Sequence, residues 1–142
     1  MRRFLSRLEH TRIAGAIAQA EQKTSGQIRV HVTHRKPDDV EKRAERRFEL
    51  LGMTGTRHRN GVLIYIAPKA RRFRILGDVG VHEKCGDDFW KATAAAMEAH
   101  FREGEFTEGI VAGVERVGAA LAEHFPKETD AGNELSDEVT ED

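Results

Sequence analysis

Five side chains with hard oxygen donors fall where the chain turns, not along the faces of its regular elements: Glu21, Asn60, Asp78, Asp87 and Asp88. Glu21 stands near the end of a helical stretch, four residues before Ser25. Asn60 immediately precedes an apolar strand, and Asp78 follows another, with Gly77 and Gly80 beside it. Asp87 and Asp88 stand at the start of a further helical stretch. Carboxylates, amide carbonyls and water are the ligands of hard cations such as calcium, which gathers about 6–8 oxygens. Glycines beside Asp78 would let backbone carbonyls come close to an ion. Each residue also has a plain structural use. Aspartate before a helix is commonly an N-cap, aspartate between glycines is a turn residue, and Glu21 fits a solvated helix face. On the residues alone, these structural uses are the expectation.

Other chemistries find less support. The seven histidines, His10, His31, His34, His58, His82, His100 and His124, are scattered over different elements without metalloprotease spacing. No Gly-x-Ser-x-Gly elbow and no glycine-rich phosphate loop appears. Zinc lacks grouped sulfur and nitrogen ligands. The one cysteine, Cys85, cannot form an internal disulfide and reads as a small loop residue, which suits a reducing cytosol.

These residues must be positioned by a compact set of elements. Ser6 and Glu9 have the spacing of a capping box, and Ile13, Ala16, Ile17 and Ala20 recur as one apolar stripe of a first helix ending near Thr24. Gln27 to Val32 alternates strictly and predicts a half-buried strand. Pro37-Asp38-Asp39 opens a second helix that buries Val40, Ala44, Phe48 and Leu51, ends at Gly52 and shows a basic outer face at Lys42, Arg43, Arg46 and Arg47. Gly61 to Ala67 is a nearly continuous apolar run, as expected of a central strand covered on both faces. The short turn Pro68-Lys69-Ala70 and the alternation from Arg72 to Ile75 predict an antiparallel hairpin. After a loop through Gly86, a third helix is expected from Asp87, with Phe89, Trp90, Thr93, Ala94, Met97 and Phe101 inward. Gly104 breaks it, and Thr107 is placed as the cap of a fourth helix that buries Ile110, Val114, Val117 and Leu121. Gly109, Gly113 and Gly118 lower the propensity of that helix by up to about 1 kcal/mol each, a cost that close packing would explain. The pattern predicts a single α/β domain with a mixed central sheet sandwiched by helices, over residues 1–127. Residues 128–142 form an acidic tail, expected to be flexible from its composition.

The chain has 142 residues and a net charge of −1, yet the charge is divided unevenly. Residues 1–74 carry 18 Lys/Arg against 7 Asp/Glu, and residues 75–142 carry 5 against 17. The expected resolution is that the two halves fold onto each other and partly neutralise. Aromatic content is 6%, too low for base-stacking platforms, so nucleic acid is not expected as a partner. The longest apolar stretch, Val62 to Pro68, falls far short of the roughly 20 residues that span a bilayer, and no apolar core of a secretory leader follows Arg2 and Arg3. A monomeric, cytoplasmic protein is the expectation.

Taken in order, Glu21-x-x-Thr24-Ser25-Gly26-x-Ile28-x-Val30, Arg59-Asn60-Gly61-Val62-Leu63-Ile64, Arg72-Phe73, Gly77-Asp78-x-Gly80-Val81, Phe101-x-x-Gly104-x-Phe106-x-x-Gly109-Ile110 and Asn133-Glu134-Leu135 resemble the TPM domain. The resemblance runs from about Ile13 to Val139, and it is carried by order and spacing together. It implies a central sheet between helices, calcium binding as attributed to stand-alone domains, and acid phosphatase activity as attributed to some members. The positions it points to are Glu21, Asn60, Asp78 and the Asp87-Asp88 region. Many relatives have Asp-Asn-Gly where this chain has Arg59-Asn60-Gly61, which replaces a carboxylate with a cation. Many also carry a leader and a membrane anchor, and their lack here weighs against an envelope role. The functional expectation is a non-catalytic accessory or interaction module that binds a divalent cation, calcium first, with an unknown protein partner. The alternative is a metal-assisted phosphomonoesterase in which Arg59 or Arg72 neutralises phosphoryl charge.

Overall fold

A computed structural model describes residues 7–128 and 139–142. Helix α1 (His10–Glu21) turns its Ile13 and Ile17 inward, and strand β1 (Gln27–Val32) follows. Helix α2 (Val40–Leu50) starts at Asp39, whose side chain accepts from Lys42 N–H, and buries Val40, Ala44 and Phe48. It is followed by Gly52 at φ +69°, the left-handed conformation that glycine takes at low cost. Strands β2 (Gly61–Ala67) and β3 (Arg72–Gly77) are joined by a short 3₁₀ turn at Pro68–Ala70. Helices α3 (Val79–Arg102) and α4 (Phe106–His124) come next, and a two-residue strand β4 (Thr140–Glu141) ends the sheet.

The sheet order is β3-β2-β1-β4. β1 pairs parallel with β2, with Gln27 opposite Gly61, and β2 pairs antiparallel with β3, with Val62 opposite Gly77. The mixed sheet and the hairpin are as the sequence predicts. One face packs Ile28, Val30, Val32, Val62, Ile64 and Ile66 against α1, α3 and α4. The other packs Leu63, Tyr65 and Ala67 against α2. Every residue of β2 is therefore buried. The three helical glycines are close-packing positions. A Cβ on Gly109 would stand 2.5 Å from the Phe101 ring, on Gly113 2.6 Å from Met97 Sδ, and on Gly118 2.7 Å from Ala20 Cβ. They let α4 lie directly on α3 and α1.

Four boundaries differ from the sequence expectation. Helix α3 starts at Val79, not at Asp87, because Asp78 is its N-cap; the chain kinks at Gly86 (φ 76°) and continues. Thr107 does not cap α4. The helix begins two residues earlier than such a cap implies, at Phe106 after Glu105, and Thr107 Oγ1 instead accepts from Glu9 N–H at 3.1 Å. Glu9 precedes α1 without a side-chain cap bond, and its proposed capping partner Ser6 lies outside the described residues. The fourth difference concerns the acidic tail. Most of it, residues 129–138, lies outside the described residues, and so does the Asn133-Glu134-Leu135 match. Its end is a strand: His31 and Val32 pair parallel with Thr140 and Glu141.

That strand is fastened by a buried polar cluster. His31 is fully buried and stacks on Tyr65 at 5.5 Å. Its Nδ1 lies 2.7 Å from Thr140 Oγ1 and its Nε2 lies 3.1 Å from Asp142 Oδ1. Thr140 Oγ1 also donates to Val30 O at 3.4 Å, so the strand end is held to the ring and to the β1 backbone together. Arg47 also binds Asp142. Burial, above all, lowers the His31 pKa. Asp142 is held below the usual carboxylate range although its burial acts the other way, through hydrogen bonds with Thr33 and His31.

The uneven charge is resolved across the halves of the chain. Arg12–Glu108, His10–Glu141, Arg47–Asp142, Arg57–Glu128, His58–Glu128 and Arg59–Asp78 each join a residue before 75 to one after it. Among the described residues, no helix is long and apolar enough to cross a membrane.

Candidate functional site

The N-terminal ends of β1 and β2 and the C-terminal end of β3 share one end of the sheet, since Gln27 faces Gly61 and Val62 faces Gly77. Glu21, Asn60 and Asp78 all reach this end, and all three are buried: 7%, 1% and 6% exposed. Glu21, the last residue of α1, folds back on the turn that follows it. Its Oε2 accepts from the Ile28 N–H at 2.7 Å. Thr24 braces the same turn, donating to Leu121 O at 3.0 Å and accepting from Gly26 N–H.

Asn60 ends the loop before β2. Its N–H donates to Thr56 Oγ1 at 3.0 Å, its Nδ2 donates to Ser25 Oγ at 3.1 Å, and its backbone carbonyl accepts from Gln27 N–H. The side-chain oxygen, Oδ1, is buried with no hydrogen-bond partner among the described residues. Thr56, which sequence reasoning did not name, and Ser25, which it named only as a motif position, are supports of Asn60. Ser25 lies 35 positions from Asn60, and no local pattern announces such a contact.

Asp78 does two jobs. Its Oδ1 accepts from Val79 N–H at 2.8 Å and caps α3. The carboxylate also receives the Arg59 guanidinium bidentately, Nε to Oδ2 at 2.6 Å and Nη2 to Oδ1 at 2.8 Å. Such fork-to-fork pairing is the strongest form of this contact. Arg59 takes a left-handed backbone (φ 51°) to reach it. Gly80 lets the loop close over the start of α3. Its N–H donates to Arg59 O at 3.0 Å, and a Cβ there would stand 2.3 Å from His58 O. Gly77 is needed for another reason, since its Cβ would meet the Trp90 ring at 2.6 Å. These glycines thus make room for the protein's own carbonyls and indole, where the sequence suggested room for an ion. The loop is fastened from outside by Glu128, which pairs with both Arg57 and His58.

Asp87 and Asp88 do not join the group. Both are exposed and lie beyond the Gly86 kink, nine and ten residues after Asp78. Asp87 lies 3.7 Å from His82 Nε2 in an exposed pair. No group of three or more His, Cys, Asp or Glu side chains suited to a metal occurs among the described residues. The oxygen set at the sheet end is therefore Glu21, Asn60 and Asp78, with an arginine on the last.

This ordered sheet end and the helices around it match the family model of the TPM domain over residues 1–120. The chain belongs to the TPM domain family. The domain is similar to the NMR structure of BA42 protein from the psychrophilic Bizionia argentinensis, at 41% identity and a TM-score of 0.88, over 94% of this chain and 92% of that one. The N-terminal domain of a protein from P. gingivalis has the same fold at 22% identity and a TM-score of 0.66, over 80% of this chain and 76% of that one. The N-terminal domain of cg2496 protein from Corynebacterium glutamicum does so at 21% identity and a TM-score of 0.57, over 78% and 70%. Comparison with curated proteins gave no match.

Proposed function

We propose that this TPM domain is a non-catalytic accessory module that takes a hard divalent cation, calcium foremost, at the sheet end formed by Glu21, Asn60 and Asp78. The observation that carries the reading is Asn60 Oδ1. In Asn60, a residue 1% exposed, an amide oxygen without a hydrogen-bond partner among the described residues leaves about 1–3 kcal/mol of desolvation uncompensated, and a hard cation is a partner that accepts such an oxygen. Glu21 and Asp78 would bring the negative charge. The ion would supply charge neutralisation and cross-linking of α1, the 56–60 loop and the start of α3.

Arg59 sets the terms. As folded, its guanidinium neutralises Asp78 as an ion would, so a cation that draws on Asp78 has to displace it. Binding is then weak and coupled to release of an arginine that is already 47% exposed. The same contact supports the non-catalytic part of the reading. With Arg59 and the Val79 N–H upon it, the Asp78 carboxylate is engaged through both oxygens and is poorly placed to orient a water. Cys85 is no alternative nucleophile, because burial and then Glu123 push its thiol pKa up.

Calcium titration followed by amide NMR tests the proposal. Saturable shifts are expected at Ser25, Asn60 and Asp78. Arg59→Ala should tighten binding and Asp78→Asn, which keeps the cap oxygen and removes the charge, should weaken it. Shifts confined to residues 128–142, or none at about millimolar calcium, would overturn it.

A further inference from the structure

Six cations outside the cross-half ion pairs surround a groove of about 960 Å³ between β3 and α3. Arg7, Lys69, Arg71, Arg72, Arg74 and Arg102 line it, against the single carboxylate of Glu98. Its apolar wall holds Phe73, Trp90, Phe101 and Phe106, with Phe73 edge-on to Phe101 at 5.3 Å. The groove is remote in the fold from Glu21 and Asn60 and shares no residue with the proposed cation site.

Among the described residues β3 is an edge strand, paired only with β2. Phe73 and Ile75 belong to one face of the sheet and Arg72 and Arg74 to the other, as their partners Ile66, Ile64, Ala67 and Tyr65 show. Residues of both faces line the same groove, so it runs along the strand's free edge. The register says which backbone groups look into it. Asp78 N–H donates to Gly61 O at 2.9 Å, next to the facing pair Val62 and Gly77. That makes Val62–Gly77 a non-hydrogen-bonded pair, and by alternation Ile64–Ile75 and Ile66–Phe73 are also non-bonded. The N–H and C=O groups of Phe73 and Ile75 therefore point away from β2. The Ile75 carbonyl confirms the direction, since it accepts from Arg74 Nη1 at 3.0 Å instead of from the ladder.

We propose that this edge is a docking site for an acidic, extended peptide segment of a partner protein, which adds to the sheet beside β3. The Phe73 N–H and C=O and the Ile75 N–H along this edge are complemented by another backbone, not by a small anion, and an incoming N–H would take the Ile75 carbonyl from Arg74. The ring wall takes apolar side chains on one side of that backbone, and the arginines and Lys69 take carboxylates on the other. A second copy of this chain is disfavoured as the occupant, because it would bring the same cations edge to edge. The opposite edge of the sheet is already covered, by β4.

The probe is a capped seven-residue peptide alternating glutamate with valine and phenylalanine, added to the full-length protein and followed by NMR. Saturable shifts along Arg72–Ile75, with new exchange protection at the Phe73 and Ile75 amides, are expected. Arg72→Glu combined with Arg102→Glu, both exposed residues on opposite walls, should weaken binding by about tenfold or more. The same charge change at exposed Arg43 and Arg46 on α2 should not. Equal binding of a glutamine version of the peptide, shifts without amide protection, or no saturation at about millimolar peptide would overturn the proposal. So would a single-stranded oligonucleotide that saturates the same resonances at lower concentration. Unchanged melting of the double variants separates lost binding from lost folding.

Discussion

Two glycine-to-alanine substitutions, chemically identical, should have opposite effects on this fold. Gly80 sits in the first turn of α3, and an added Cβ would lie 2.3 Å from His58 O and 2.7 Å from Arg59 O. Those are backbone atoms, and no side-chain rotation relieves them. Restoring ordinary contact requires the 56–60 loop and the start of α3 to part by about 1 Å, which strains the Gly80 N–H to Arg59 O bond and the Arg59–Asp78 pair together. Overpacking of this kind costs typically about 1–3 kcal/mol, and the helix propensity gained from alanine returns at most about 1 kcal/mol. A net loss of about 1–2 kcal/mol is expected. With a urea slope of about 1.5–2 kcal/mol/M, the midpoint should fall by roughly 0.5–1.3 M. Gly15 is the control, because it is exposed in α1 and a Cβ there meets nothing within 4 Å. Gly15→Ala should raise the midpoint, by about 0.5–1 kcal/mol of stability. The reasoning is refuted if Gly80→Ala is as stable as the parent. The loop would then not be clamped on α3, and the placement of Asn60 and Asp78 in one rigid site would fail with it.

Three further expectations follow from the same contacts. His31 and Asp142 both have folded pKa values below their ordinary ones, so the stability each contributes is complete above the unfolded values and is lost as pH falls. Melting temperature should hold from about pH 8 down to about pH 7 and decline as pH falls below the ordinary histidine range; Asp142→Asn should lower the plateau, and a profile flat down to about pH 5 would contradict the assignment. Thr24→Val removes a hydroxyl that donates to Leu121 O and accepts from Gly26 N–H. It should destabilise by about 1–3 kcal/mol in thermal or urea melts, while Thr54→Val, at an exposed position of the short 3₁₀ turn Met53–Gly55, should be near neutral. Finally, the Cys85 thiol, with its pKa raised by burial and by Glu123, should react with a disulfide reagent more slowly than a small free thiol at neutral pH, and denaturant should abolish the difference.

The parts of the fold legible in the sequence were those written in local periodicity. The alternation of Gln27–Val32, the apolar run of Gly61–Ala67 and the three-residue turn at Pro68–Ala70 are near-neighbour signals, and each produced a strand or turn where expected, although β1 is buried on both faces and not half-buried as its alternation predicts, because Gln27, Arg29 and His31 are covered too. The boundary errors share a cause of another kind. Asp87-Asp88 and Asp78 are equally good caps by residue type, and what selects Asp78 is a loop 19 positions upstream that supplies Arg59. The Gly86 kink then hides the earlier start, because a glycine at φ 76° reads as a loop in sequence. Thr107 likewise looks like a cap until Glu9, 98 positions away, takes its hydroxyl. β4 was invisible because two residues of acidic sequence carry no strand signal of their own. They are held by His31, Asp142 and Arg47, contacts that exist only after the rest has folded.

The site followed the same division. Types and turn positions singled out Glu21, Asn60 and Asp78, whose burial at one sheet end is a consequence of strand order. Spacing alone could not separate these from Asp87 and Asp88, nor reveal that Asp78 already has a cation. Arg59 is the informative residue in that respect. A carboxylate at its position would have added a ligand to the sheet end and left Asp78 open, whereas the guanidinium fills the role within the chain and ties the 56–60 loop to α3. Any ion at this end must therefore be measured against an internal competitor. Substituting Arg59 separates the two roles cleanly: if the cation reading is correct, Arg59→Ala loses rigidity in the free protein and recovers it on adding calcium, whereas a purely structural salt bridge would lose rigidity and recover none.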